Sequence, residues 1–83
     1  MNMREDCQGW YNNDTFQLVT MLTNDARLYG LALKALTPYG LPVNKASFRD
    51  GLKALAHAEG LSVDVYRVKW AEVHAHFLAL IGR

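Results

Sequence analysis

Gly9-Trp10-Tyr11-Asn12-Asn13-Asp14-Thr15-Phe16, running on to Leu22-Thr23-Asn24-Asp25, decides how this chain folds. Asn12 or Asn13 can cap a helix by accepting from the free N–H groups of its first turn, and Asp14 adds negative charge where the helix dipole favours it. Asn24 repeats the device, so two helices are expected to begin close together. Between these caps Phe16, Val19 and Leu22 lie on one side, and Leu18 and Met21 widen the stripe, which predicts a short helix from Asp14 to Thr23. The β-branched Val19, Thr20 and Thr23 speak for a strand, but apolar and polar residues do not alternate.

Outward from this unit, Leu28, Leu31, Ala32, Ala35 and Leu36 follow the 3.6-residue period and predict a second helix from Asn24 to about Leu36. Tyr29 and Leu33 fall on its other side, which means either a helix buried on two sides or an apolar contact surface. Thr37-Pro38-Tyr39-Gly40-Leu41-Pro42 ends it, because proline lacks the helix donor and biases its predecessor to extended geometry. A third helix is expected from Lys45 or Ser47 to Glu59, with Asn44 or Ser47 as cap, Phe48, Leu52, Leu55 and Ala56 inward, and Gly60 as the stop. Gly51 weakens it by up to about 1 kcal/mol relative to alanine, which packing can offset. Tyr66, Trp70, Val73, Phe77, Leu80 and Ile81 predict a last helix that starts between Asp64 and Lys69 and reaches Ile81. Trp10 is expected to cover the start of the first helix and Trp70 the first turn of the last. The fold class is therefore all-α: about four short helices in one bundle-like or orthogonal domain over residues 1–83. Residues 1–8 are polar and aperiodic and read as a mobile tail.

Composition supports a folded chain and narrows its partners. Eighty-three residues, 51% apolar and 20% charged, suffice for one small core. Nine basic against eight acidic side chains leave a net charge of +1, so no whole-molecule field draws the protein to nucleic acid or an anionic membrane. The single cysteine, Cys7, excludes an internal disulfide and fits a reducing cytoplasm. There is no apolar run near the eighteen or so residues of a membrane span, and Met1-Asn2-Met3-Arg4-Glu5-Asp6 has no signal-peptide core. A cytoplasmic protein with no membrane partner is expected.

Two motifs carry a resemblance. Gly9-Trp10-x-Asn12-x-Asp14-Thr15-Phe16 followed by Leu22-x-Asn24-Asp25-x-x-Leu28-Tyr29 resembles the opening of small proteins of phages, plasmids and bacterial mobile regions, which typically begin Gly-Trp-x-Asn-Tyr-Glu-Thr-Trp and continue to Leu-x-Asn-Asp. Val68-Lys69-Trp70-Ala71-Glu72-Val73 is similar to the Val-Asn-Trp-x-Glu-Ile signature that begins their last helix. This chain departs from the pattern at Asn13, Asp14, Phe16 and Lys69. The resemblance implies a helical accessory protein that mobile elements carry to act on host systems, and it implies no active site.

Catalytic and metal chemistry find little footing in the sequence. His74 and His76 are two apart on a helix and point roughly 160° from each other, so they cannot share an ion. Glu72 and His76 make only two ligands, fewer than the three or four a zinc site takes from protein. Cys7 has no residue obliged to activate it, and Asp14 and Asp25 are better explained as helix-start residues than as an acid/base pair. No cofactor, metal or catalytic residue is expected, and the protein reads as non-enzymatic.

Surface patterns are more informative. Lys45, Arg49, Lys53 and His57 stand at i+4 spacing along the third helix and form one basic row, either a docking face or an ordinary solvated one. With Tyr29 they are the candidate partner-binding residues, and the expected partner is a host protein complex, blocked in the manner of anti-CRISPR or anti-restriction proteins. The alternative is a DNA-binding regulator, because Leu55-Ala56-His57-Ala58-Glu59-Gly60-Leu61-Ser62 followed by Tyr66 is similar to a helix-turn-helix. In it Ser62 and Arg67 reach base edges while Lys53 and His57 hold phosphates. Glu59 and Lys69 occupy positions where that motif wants apolar side chains.

Overall fold

Asn12 sets the first helix. Its backbone is extended (φ −151°, ψ 176°), and its Oδ1 accepts the Thr15 N–H at 2.9 Å, starting α1 (Asn13–Asn24). The computed structural model describes residues 9–82, so the expectation of a mobile tail, Cys7 included, lies outside the described residues. Thr15, Leu18, Val19 and Leu22 form the buried side of α1.

One residue separates α1 from α2 (Ala26–Leu36), and it corrects the expected cap. Asp25, not Asn24, takes the extended geometry (φ −120°, ψ 115°) and accepts from the Arg27 and Leu28 N–H groups at 2.9 and 3.1 Å. Asn24 is instead the last residue of α1. A carboxylate at this position adds charge to the hydrogen bond at the positive end of the α2 dipole. Thr37 closes α2, donating its N–H and hydroxyl to the Leu33 carbonyl, and the loop returns through a bond from the Val43 N–H to the Leu36 carbonyl.

Asn44 starts α3 (Lys45–Glu59), since its Oδ1 accepts the Ser47 N–H at 2.9 Å; Ser47 is not the cap. Gly60 ends the helix in the left-handed region (φ 66°), where a Cβ is penalised. The Leu61 N–H then bonds back to the Ala56 carbonyl and the Gly60 N–H to that of His57, the paired bonds of a Schellman motif.

The last helix, α4 (Trp70–Ile81), begins later than the pattern of apolar residues allows. Residues 61–69 form an irregular segment with a turn at 65–67, and Tyr66, expected inward, is 84% exposed. Tertiary bonds explain the difference. The Lys69 N–H, which a helix would direct to Val65, donates to Thr15 Oγ1 at 2.8 Å, while the Val65 carbonyl accepts the Trp70 indole N–H at 3.1 Å.

Each helix packs against the next, and α4 returns to α1. Leu18, Leu22, Leu36, Phe48, Leu52, Val73 and Phe77 are sealed at the centre, with the Phe48 and Phe77 rings 5.7 Å apart. α2 proves buried on two sides: Leu28 and Ala32 enter the core, and Tyr29 and Leu33 pack against it, the Tyr29 ring 6.1 Å from Phe77. Gly51 lets α2 and α3 approach, because a Cβ there would lie 3.2 Å from that of Ala35. Among the described residues there is no strand, and no helix is long and apolar enough to cross a membrane.

Candidate binding face

The 61–69 segment is held by the residues that open α1. Asn12 Nδ2 donates to the Arg67 carbonyl at 2.7 Å, and Asn12 Oδ1 accepts the Thr15 hydroxyl at 2.7 Å. That hydroxyl is fully buried and also accepts from the Lys69 N–H, so it both donates and accepts. Asp14 accepts the Asp64 N–H at 3.3 Å through one oxygen and meets Arg67 Nε at 3.5 Å through the other. Glu72, in the first turn of α4, accepts the Tyr11 N–H at 2.7 Å. The Gly9–Phe16 and Val68–Val73 motifs thus meet in one polar latch, and their residues hold the scaffold together.

The latch fixes the turn that carries Tyr66. Asp64 accepts the Tyr66 N–H through its side chain and the Arg67 N–H through its carbonyl, both at 3.0 Å. Tyr66 consequently stands out beside α3, with Lys53 Nζ 4.6 Å from its ring centroid. Between the end of α3 and this turn lies an open groove of about 510 Å³, floored by Leu61, Val63 and Val65 and rimmed by Lys53, His57 and Tyr66.

The structure brings part of the basic row to this groove. Lys53 and His57 line it, Lys45 is exposed on the same helix, and Arg49 is held by Asp50 at 3.1 Å. Lys45 stands in the first turn of α3, where the dipole disfavours a cation and no acidic residue compensates. Tyr29, by contrast, is part of the core boundary and not of this face. Of the residues proposed to read DNA, Ser62 is exposed but opens no helix, and Arg67 is turned to Asp14. The helix that would have carried them into a groove of DNA is absent from residues 61–69, because its amide and carbonyl groups are spent on Thr15 and Trp70.

Glu59, out of place in a helix-turn-helix, has another role. It receives both guanidinium nitrogens of Arg27, joining the end of α3 to the start of α2. That hydrogen bonding holds the Glu59 carboxyl below its ordinary range and the Arg27 guanidinium above its own. The two α4 histidines face apart, as their spacing predicts. His74 Nε2 lies 2.9 Å from the Val43 carbonyl, to which it donates, while the His76 ring meets Trp10 edge-on at 5.1 Å. Burial there pushes the His76 pKa down. Trp10 therefore covers α4 beside His76.

Sequence reading missed Tyr66 as a surface residue, since its spacing from Trp70 and Val73 matched a helix. The available signal was Asp64, whose side chain favours a turn two residues on. Scans against protein-family models, curated proteins and solved structures find no match for this chain.

Proposed function

We propose that this chain is a non-enzymatic accessory protein of a phage or mobile element that docks on a host protein complex and inhibits it, in the anti-CRISPR or anti-restriction manner. The class rests on the motif resemblance; the mode of docking rests on the face of α3. One observation carries it: Tyr66, 84% exposed on a turn clamped by Asn12 and Asp14, stands beside Lys53 in line with Lys45. Exposed aromatics on rigid supports are the usual anchors of protein interfaces, since little side-chain freedom is lost on contact. Nucleic acid fits this face less well. Arg49 and Arg67 are each engaged by an aspartate, which leaves few cations for the several phosphate contacts that duplex binding requires.

Affinity capture from a bacterial host lysate tests the reading, alongside duplex DNA binding at two salt concentrations. The expected result is a specific protein complex retained by the chain, whose activity falls when the chain is added, with no salt-sensitive DNA binding. Sub-micromolar DNA binding that weakens steeply with salt, in the absence of any retained complex, would overturn it.

A further inference from the structure

We infer that the groove between α3 and the 61–67 turn takes an apolar side chain from an acidic peptide segment of the partner protein, an inference that rests on the docking function proposed above. The groove combines two chemistries. Its floor of Leu61, Val63 and Val65 is half-buried and apolar, which favours an aliphatic or aromatic side chain. Its rim bears Lys53 and His57, and among the described residues no carboxylate lines it. Two acids of the same helix are paired with cations, Glu59 with Arg27 and Asp50 with Arg49. Positive potential at the rim is therefore not cancelled from within, and Lys45 extends it one way along the helix. An acidic residue on each side of an apolar anchor would place its carboxylates against Lys53 and His57 while the anchor fills the floor. Tyr66 closes one wall, and its ring face accepts the Lys53 ammonium.

The site is built before the partner arrives. The Schellman turn at Gly60 fixes the direction in which Leu61 leaves α3, and the latch to α1 fixes the far wall at residues 64–67. Binding then orders little of the protein itself, which favours affinity for a short segment.

The test uses the full chain and three synthetic peptides of equal length: an acidic peptide with a central leucine, the same peptide with alanine at the centre, and one with lysines in place of the acids. Amide chemical shifts are followed during titration, with fluorescence anisotropy for affinity. We expect saturable binding of the acidic leucine peptide, with shifts concentrated at Lys53, His57, Leu61, Val63 and Tyr66. The alanine and lysine peptides should each bind at least about tenfold more weakly. Lys53→Glu should weaken the acidic peptide by a similar factor and favour the lysine peptide, a reversal that a folding defect would not produce. Equal binding of all three peptides, or shifts confined to residues away from the groove, would overturn the inference. If the peptides fail while the chain still captures and inhibits a host complex, the groove assignment falls and the docking function stands; if capture fails as well, both fall.

Discussion

Asn12 does more than cap a helix. Its side chain serves the Thr15 N–H, the Thr15 hydroxyl and the Arg67 carbonyl at once, so its removal strips the α1 cap and unpairs a buried hydroxyl. Asn12→Ala should lower stability by about 2–3 kcal/mol, measured by urea unfolding, the sum of a lost cap and a lost partly buried bond. The α2 cap provides a second comparison. Asp25→Ala should lose about 1 kcal/mol, whereas Asn24→Ala should stay within about 0.5 kcal/mol of wild type. The reverse order would show that the chain starts α2 one residue early. Trp70 joins packing to a hydrogen bond, its indole N–H held by Val65. Trp70→Ala should cost about 3 kcal/mol or more, and Trp70→Phe, which keeps much of the packing, about 1–2 kcal/mol.

Two glycines inside helices look alike in sequence and differ in the fold. Gly30 in α2 has open space where a Cβ would stand, so Gly30→Ala should gain most of the roughly 1 kcal/mol of helix propensity. Gly51 faces Ala35 at 3.2 Å, so Gly51→Ala should gain nothing measurable, and Gly51→Val should lose about 2 kcal/mol as α2 and α3 are forced apart. Thermal midpoints of the three variants check this. The helices themselves were legible because what starts and stops them is local: Asn12, Asn44 and Gly60 act within a turn or two of where they stand. The late start of α4 was not legible. Thr15 captures the Lys69 amide across 54 residues, and Asn12 reaches Arg67 across 55, pairings that no periodicity records. Tyr66 was lost to the surface reading for that reason, while Lys45, Lys53 and His57 were found because helical spacing alone places them in a row. The choice for Tyr29, core or contact surface, needed the position of Phe77 on another helix.

At the scale of the molecule, the residues that carry stability are not those of the proposed docking face. His76 sits against Trp10 and Phe77, with Glu72 one turn before it on α4, and burial lowers its pKa. The unfolded chain binds that proton first as pH falls, so the stabilisation is complete above about pH 6.5 and is lost as pH drops through the lower folded value. The thermal midpoint should therefore fall between about pH 7 and pH 5, and His76→Gln should flatten that limb. Glu59 acts in a lower window: Arg27 depresses its pKa, so its contribution is present above about pH 4.3 and lost below, and Glu59→Gln should lower the midpoint above that pH and flatten the acid limb. Neither group lies on the face formed by Lys45, Lys53 and Tyr66, whose side chains carry little of the core. The separation of scaffold from docking face is tested most directly by one variant, Lys45→Ala/Lys53→Ala/Tyr66→Ala, assayed for both thermal midpoint and capture of the host complex. We expect a midpoint within a few degrees of wild type, since a shift of that size is under about 1 kcal/mol in so small a domain, together with loss of the captured complex. Retention of the complex at wild-type levels by a normally folded variant would contradict the assignment of this face to binding.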